Sequence, residues 1–358
     1  MKKYSPEVLE EKISRYPRVN LISLPTPLKP LNFLTRELNG PQIMVKRDDL
    51  TGLAFGGNKS RKLEFIIADA LKKGADSIIT WASLQSNWCL QLATAARMFG
   101  LKPILILFKT YDLPFSYQGN LLLDFLLGAE IIIEETEEKG KSVSQEKAFS
   151  RLKKIADEFR RQGNKPYLVS VGGSSIGGDM DKPLGALSYL QAMIEIYRQL
   201  PDQKKFRHKN IIIATGSGAT QAGLLVGAKA LGLDIRVTGI CVSDKKEDFS
   251  PQIKNIAFNL IELLGLDISL EDQDIILFDE YLDEGYGVVN EKVAKIIQFV
   301  FQKEGLVLDP VYTAKAAIGL VDLIKKGYFC SEDLVLFIHT GGTPALFAFN
   351  SRLVELLQ

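Results

Sequence analysis

Short apolar runs alternate along the chain with longer segments in which apolar residues recur every three or four positions. Residues 104–107 and 131–133 are apolar at every position, which is typical of strands buried on both faces of a parallel sheet. This pattern predicts nine strands, at residues 43–47, 77–81, 104–108, 130–134, 167–171, 211–214, 235–242, 275–278 and 334–339.

Helical periodicity separates these strands. Ser5 and Pro6 place an N-cap before a proline at the first helical position, which opens a helix to about residue 15. Strands that alternate with helices indicate an α/β fold. No linker rich in Pro, Gly or Ser divides the chain, so one domain inserted in the other is as plausible as two in tandem. Further helices are predicted near residues 61–73, 87–99, 117–127, 145–162, 183–199, 219–231, 251–264, 290–303 and 313–326.

Charge and composition narrow the function classes. The chain has 44 basic and 43 acidic residues, so its net charge of +1 does not attract nucleic acid or an anionic membrane. No apolar run is long enough to span a bilayer, and the first residues lead into a capped helix rather than a signal segment. Three well-separated cysteines lack disulfide-framework and metal-ligand spacing, which favours a reducing compartment. These features predict a cytoplasmic protein without a metal.

Residues 55–62, Phe-Gly-Gly-Asn-Lys-Ser-Arg-Lys, form the most informative segment of the sequence. The glycines allow the backbone to pass close to a bound group, and Lys59 at the start of the following helix then points toward that group. A P-loop is excluded because Walker A requires adjacent Gly and Lys, whereas Asn58 intervenes here. The alternative interpretation is an ordinary solvated lysine at a helix start.

A second glycine loop, residues 215–220, follows the apolar run 211–214 and precedes a helix. It is not a regular dinucleotide fingerprint, because Gln221 occupies the position of the third glycine. Free backbone N–H groups at a helix N-terminus form an anion site, although a purely structural turn remains an alternative. A lysine near a phosphate-binding loop is the arrangement expected of a pyridoxal-phosphate enzyme, where the lysine forms a Schiff base with the cofactor.

Polar clusters follow several other predicted strands. Residues 85–87, Gln-Ser-Asn, come after strand 77–81, and residues 339–346 contain a Gly-Gly turn after the last strand. Ligands in open α/β sheets bind at the carboxyl ends of strands, so both clusters are suitably placed. Taken singly, Ser86 and Asn87 also fit a helix cap, and Tyr286 and Tyr312 also fit core aromatic residues.

Taken together, these segments resemble the fold-type-II pyridoxal-phosphate enzymes, specifically the D-cysteine desulfhydrase and 1-aminocyclopropane-1-carboxylate deaminase family. The resemblance runs from about Leu24 to Phe349 and implies two open, twisted, mostly parallel sheets flanked by helices, as in the tryptophan-synthase-β-like fold. It also implies a large domain of residues 1–61 and 175–358, a small inserted domain of residues 62–174, and a homodimer. The segments that carry it are 46–49, 56–62, 85–87, 215–218, 286–287, 309–312 and 339–342.

The resemblance also implies roles for individual residues. Lys59 would be the Schiff-base lysine, and Ser86, Tyr286 and Tyr312 would stand around the substrate as the other catalytic residues. The expected cofactor-binding residues are Asn58, Lys59, Lys62, Asn87, Thr215, Gly216, Ser217, Gly218, Ala219, Thr220, Thr313 and Thr340.

Residue types near the expected pyridine nitrogen favour one activity within this family. The deaminases carry an acidic residue at the position of Thr313 and leucine at that of Thr340, so two threonines favour β-elimination from a small amino acid, with D-cysteine giving pyruvate, sulfide and ammonia. The alternatives are opening of the cyclopropane, a lyase for cysteate or another β-substituted amino acid, and a non-catalytic amino-acid-binding relative. Trp88 departs from the histidine or other polar residue common in relatives, which changes the expected substrate pocket but not the cofactor.

Overall fold

The computed structural model describes residues 2–111, 116–136, 138–201 and 205–358. Two β-sheets organise this part of the chain. Their strands are β1 (Leu28–Pro30), β2 (Gln42–Lys46), β3 (Ser77–Ser83), β4 (Lys102–Lys109), β5 (Glu130–Glu135), β6 (Pro166–Leu168), β7 (Lys209–Thr215), β8 (Ile235–Cys241), β9 (Ile276–Phe278) and β10 (Leu334–Ile338).

The larger sheet has six strands in the order β1-β2-β10-β7-β8-β9, and the smaller has four in the order β5-β4-β3-β6. Every strand pair is parallel except β1 with β2, which is antiparallel. The expected α/β architecture with two mostly parallel sheets is therefore confirmed. All strands of the smaller sheet come from residues 77–168, whereas the domain boundaries at 62 and 174 stay a prediction.

Helices cover the sheets. They are α1 (Pro6–Ser14), α2 (Asn32–Leu38), α3 (Asn58–Lys72), α4 (Asn87–Met98), α5 (Gly119–Leu126), α6 (Gln145–Arg161), α7 (Leu184–Gln199), α8 (Ala219–Ala230), α9 (Lys246–Leu264), α10 (Glu291–Glu304), α11 (Thr313–Lys325), α12 (Thr343–Ala348) and α13 (Asn350–Leu357). The periodicity missed strand β1 and helices α2, α12 and α13, all of which are short. Among the described residues, no helix has the length and apolar character required to cross a membrane.

Helix α9 begins earlier than the sequence pattern predicts. We expected it to start at Pro251, since proline is favoured in the first turn of a helix, but it starts at Lys246 with Pro251 inside. A proline inside a helix removes one backbone hydrogen bond. Phe249 in the added turn is 2% exposed and packs with Ile253 in the main core, and this burial offsets the loss.

The start of α3 lies beside the turn that follows β10. Gly57 and Gly341 form an isolated antiparallel bridge, and the Asn58 N–H donates to the Thr340 carbonyl at 3.0 Å. Residues that are far apart in sequence are thereby joined at the carboxyl end of the larger sheet. Lys59 is placed at this junction, which is where an open α/β sheet binds its ligand.

Candidate active site

A cleft at the carboxyl ends of β3, β7 and β10 encloses about 960 Å³ of empty space, part of it open to solvent. Polar and apolar residues from both sheets line it, so the cleft lies where their strand ends meet. Most of the site residues expected from sequence are in its wall, namely Asn58, Lys59, Ser86, Asn87, Thr215, Gly216, Ser217, Gly218, Thr220, Tyr286, Tyr312 and Thr340.

Lys62, Ala219 and Thr313 are the expected site residues that do not line the cleft. All three are fully buried. The Lys62 amine donates to the carbonyl of Gly172, which does line the cleft, at 3.1 Å. The Ala219 N–H is used by a turn to the Ser217 carbonyl.

The Thr313 hydroxyl is bonded within its own helix start. It accepts from the Asp309 N–H at 2.7 Å and donates its single proton to Asp309 Oδ1, also at 2.7 Å. A hydroxyl has only one proton, so in this arrangement Thr313 has none to donate to a cofactor ring, and its expected role in cofactor binding stays a prediction. Thr340 lines the cleft.

Lys59 carries an amine that is suited to covalent chemistry. Its partly exposed side chain lines the cleft, and no described protein group accepts a hydrogen bond from its Nζ atom. Burial in the protein disfavours the charged form and lowers the pKa of Lys59 to about 8. A lysine with a lowered pKa is a better nucleophile at neutral pH than a solvated one.

A second amine, that of the buried Lys62, lies near Lys59 at the start of α3. Burial and the neighbouring Lys59 hold the pKa of Lys62 well below its usual value. The two lysines are one helical turn apart at the N-terminal end of α3, where the helix dipole is also positive. An anion bound nearby would relieve the repulsion between the two amines.

The loop that follows β7 forms an anion cradle. Gly218 has φ +82° and occupies the N-cap of α8, and no described side chain caps the first turn of this helix. Its free N–H groups are therefore available to a ligand in the cleft. Thr220 Oγ1 accepts from Asn58 Nδ2 at 3.1 Å, which leaves its own hydroxyl proton for that ligand.

Ser86 and Asn87 open α4 at the cleft wall. Ser86 is the N-cap, with its hydroxyl accepting from the Cys89 N–H at 3.2 Å. Asn87 Oδ1 accepts from Asn120 Nδ2 at 2.7 Å. This contact leaves the Asn87 amide group as a donor toward the cleft. Gly342, with φ +108°, lies so close that a Cβ atom there would be 2.8 Å from Asn87 Nδ2.

Tyr286 and Tyr312 form a hydrogen-bonded pair in the cleft wall, with their hydroxyl oxygens 2.6 Å apart. Burial raises the pKa of Tyr286, and burial together with Tyr286 holds the pKa of Tyr312 well above its usual value. Both hydroxyls are therefore neutral at physiological pH. The pair can donate a proton to a group in the cleft.

Sequence reasoning missed several residues of the cleft. Ser142 and Val143 lie on the segment before α6, and Gly172 and Ser243 come after β6 and β8. Their position after the carboxyl ends of parallel strands is the signal that could have identified them. Asn120, which holds Asn87, lies on a helix with no recognisable motif, and only the structure places it there.

Comparisons with known proteins agree with this geometry. Residues 19–341 match the family described as "Pyridoxal-phosphate dependent enzyme". A putative 1-aminocyclopropane-1-carboxylate deaminase of Pyrococcus abyssi is 40% identical over 96% of this chain and 97% of its own length. The D-cysteine desulfhydrase of Serratia proteamaculans is 38% identical over 96% of this chain and 99% of its own.

Solved structures give the same result. A crystal structure described as an ACC deaminase homologue superposes with a TM-score of 0.86, at 38% identity, over 99% of this chain and 100% of that chain. Threonine deaminase isoform 2 of Solanum lycopersicum has a TM-score of 0.63 at 16% identity, over 99% of this chain and 90% of that chain, and shows the shared fold.

The residues present in the cleft fit the cofactor of this family. An amine without a protein acceptor suits an aldehyde, and the uncapped start of α8 suits a phosphate. The family match covers most of the chain, and the relatives align over nearly their whole length. The chain belongs to the pyridoxal-phosphate dependent enzymes.

Proposed function

We propose that this enzyme catalyses β-elimination from a small amino acid, with D-cysteine and water giving pyruvate, sulfide and ammonia. The observation that carries the proposal is the Tyr286–Tyr312 pair in the same cleft as Lys59. The cleft thus holds a base and a neutral proton donor, which elimination of a thiol requires. The relatives named D-cysteine desulfhydrase, at 37–38% identity, support the same substrate.

Residues of the cleft have matching proposed roles in cofactor binding. Pyridoxal phosphate, when bound, supplies an aldehyde for amines and an electron sink for negative charge at the substrate Cα. Lys59 would hold the aldehyde carbon. The first turn of α8 and the Thr220 hydroxyl would hold the phosphate, whose negative charge would favour the protonated form of Lys62. The Asn87 amide would donate to the ring oxygen.

The proton transfers follow from the same groups. The substrate amine would replace Lys59 on the aldehyde carbon, which frees the Lys59 amine to take the proton from Cα. Its pKa of about 8 leaves part of the amine neutral near physiological pH. The C–S bond then breaks with both electrons on sulfur, and the Tyr286–Tyr312 pair gives the thiolate a proton. Hydrolysis of the remaining enamine consumes one water and gives pyruvate and ammonia. Ser86, which lines the same cleft, would contact the substrate.

Opening of 1-aminocyclopropane-1-carboxylate is the second candidate activity. The Pyrococcus relatives that carry this putative name are 39–40% identical to the chain. Thr340 argues against it, because the deaminases in the resemblance carry leucine at this position. A lyase for cysteate or another β-substituted amino acid would use the same groups of the cleft.

A substrate panel tests the proposal. Purified holoenzyme is incubated with D- and L-cysteine, D-cysteate and aminocyclopropane carboxylate, and pyruvate, sulfide and 2-oxobutanoate are measured. We expect D-cysteine to be the best substrate and the cyclopropane to give little 2-oxobutanoate. Faster opening of the cyclopropane would replace the main proposal with the second. A protein that does not bind pyridoxal phosphate covalently would instead be a non-catalytic relative.

We also propose a cytoplasmic homodimer in which residues 1–61 and 175–358 form the large domain and residues 62–174 the small one. Three free cysteines, two of them buried, support a reducing compartment.

Exposed apolar side chains on the packed helices α5 and α12 support a subunit contact; they are Leu122, Phe125, Leu126 and Phe347. Sedimentation should give a dimer, and Phe125→Glu with Leu126→Lys should give a monomer.

A further inference from the structure

Helix α11 carries a buried lysine that the proposed reaction does not use. The Lys315 side chain is fully buried, and its amine donates to the carbonyl of Leu282 at 2.9 Å and to that of Gly285 at 2.6 Å. Burial lowers the pKa of Lys315 to about 8. Removing a charged amine from water is costly unless hydrogen bonds compensate it.

The two carbonyls belong to the loop that carries Tyr286. Gly285, the residue directly before Tyr286, has φ +129°. Its Cβ position would lie 2.4 Å from the Gly140 carbonyl oxygen, so the loop backbone is closely packed here. The Tyr286 N–H donates to that same Gly140 carbonyl at 2.7 Å. The peptide unit that joins Gly285 to Tyr286 is thus held at both of its polar groups. Lys315 binds its carbonyl, and the Gly140 carbonyl binds its N–H.

Lys315 also lies close in sequence to the second tyrosine. Tyr312 is the N-cap of α11, and Lys315 follows in the first turn of the same helix. The amine therefore joins the helix that presents Tyr312 to the loop that presents Tyr286. The two hydroxyls meet at 2.6 Å, and a small displacement of the loop would separate them.

We infer that Lys315 is a positioning residue that holds the Tyr286 loop against helix α11 and so sets the contact between the Tyr286 and Tyr312 hydroxyls. The inference deepens the proposed function, because it rests on the role of the tyrosine pair in protonating the leaving sulfur. Lys315 itself is not among the residues that line the cleft, so it would act on the reaction only through the tyrosine pair.

The same loop provides a matched control. Lys292 donates to Asp283 Oδ1 at 2.8 Å from the outer side of the loop, and its side chain is 69% exposed. Exposed ion pairs contribute little to stability. Lys292→Met therefore removes a lysine that contacts this loop but leaves the hydrogen bonds from Lys315 to the loop carbonyls in place.

The first experiment compares Lys315→Met with Lys292→Met in the holoenzyme. We expect Lys315→Met to lower kcat for D-cysteine at least about 10-fold, as misplaced catalytic groups do, with KM changed by less than about twofold. Lys292→Met should leave both constants near those of wild type. Lys315→Arg should recover part of kcat, because its guanidinium can donate to both carbonyls, whereas Lys315→Gln should recover less. If Lys315→Met does not fold, this Arg–Gln comparison carries the test, and equal kcat values for the two would overturn the inference.

A double variant separates positioning from general destabilisation. If Lys315 acts through Tyr286, Tyr286→Phe with Lys315→Met should lose no more kcat than Tyr286→Phe alone. If the fold-losses of kcat in the two single variants multiply in the double variant, Lys315 acts independently of Tyr286, and the inference is overturned.

Hydrogen exchange gives a readout that does not depend on the substrate. Amides of residues 279–290 should exchange faster in Lys315→Met than in wild type or Lys292→Met, while the cofactor absorbance is retained. If the wild-type protein turns over none of the substrates while these amides still exchange faster in Lys315→Met, the proposed function fails and the positioning of the loop by Lys315 stands. Unchanged exchange together with unchanged kcat in Lys315→Met would overturn the inference while leaving the proposed function intact.

Discussion

Asn120 Nδ2 lies 2.7 Å from Asn87 Oδ1, and this contact fixes which side of the Asn87 amide faces the cleft. Asn120 also holds the neighbouring Gln85 by donating its backbone N–H to Gln85 Oε1 and its Nδ2 to the Gln85 carbonyl, both at 2.9 Å. Through Asn120, helix α5 thus fixes the orientation of the Gln-Ser-Asn segment, residues 85–87. Asn87 is left as a hydrogen-bond donor toward the cleft, where a neutral or negative ring oxygen would accept.

Removal of the Asn120 side chain should weaken cofactor binding, because Asn87 would lose the contact that orients its amide. A typical hydrogen bond contributes about 0.5–1.5 kcal/mol, so Asn120→Ala should weaken retention of pyridoxal phosphate by about 2- to 12-fold. Dissociation constants from dialysis and cofactor absorbance measure the effect. Asn32→Ala, at an exposed position, is the control. A cofactor affinity equal to that of wild type in Asn120→Ala would show that the Asn87 orientation does not depend on Asn120.

The Thr220 hydroxyl should contribute more strongly, since its proposed partner is a phosphate. A hydrogen bond to a charged group contributes about 1.5–3 kcal/mol, so Thr220→Val should weaken cofactor retention by about one to two orders of magnitude. The fold should survive, because valine has nearly the same shape. Thr94→Val is a suitable control, since that hydroxyl donates to the Leu90 carbonyl within its own helix α4. Unchanged affinity in Thr220→Val would mean that the loop after β7 is only a turn.

Lys59 should react as an amine with a lowered pKa. In cofactor-free protein, its modification by trinitrobenzenesulfonate should increase with pH around a midpoint near 8, because the neutral form is the nucleophile. The amine of a lysine in a short unstructured peptide, measured in parallel, should instead react with a midpoint near about 10.4.

The site of covalent attachment checks the same assignment. Borohydride reduction of the holoenzyme should leave the pyridoxyl group on the peptide that contains Lys59. A label on Lys46 or Lys62 would contradict the proposed role of Lys59.

Trp88 should limit the size of the substrate. Its ring lines the cleft, and its Nε1 donates to Thr80 Oγ1 at 2.8 Å. Trp88→His would open space, so KM for S-alkylated D-cysteines should fall relative to D-cysteine. The void should cost about 2–4 kcal/mol of unfolding free energy, measured by urea denaturation. Trp88→Phe should change KM less. The same substrate order in all three proteins would show that Trp88 does not set the pocket.

The sequence by itself determined the elements with strong local signals. Strands that are buried on both faces of a parallel sheet consist of consecutive apolar residues, so β4 and β7 could be predicted from their apolar runs alone. The turn before Lys59 and the loop before α8 were recognisable because glycine is required where the backbone approaches a ligand or adopts positive φ. Short elements such as β1 and α2 were missed, since three to seven residues carry too little periodicity.

Only the tertiary structure decided which of these groups meet. It brought Tyr286 and Tyr312 within hydrogen-bond distance, turned the Thr313 hydroxyl toward Asp309, and placed Asn120 behind Asn87. None of these contacts has a sequence signature, because the partners come from different elements or depend on a side-chain direction that packing sets. Lys315 is the clearest case. Its sequence context is that of an ordinary helical lysine, and burial against the Leu282 and Gly285 carbonyls gives it a partner that periodicity cannot identify.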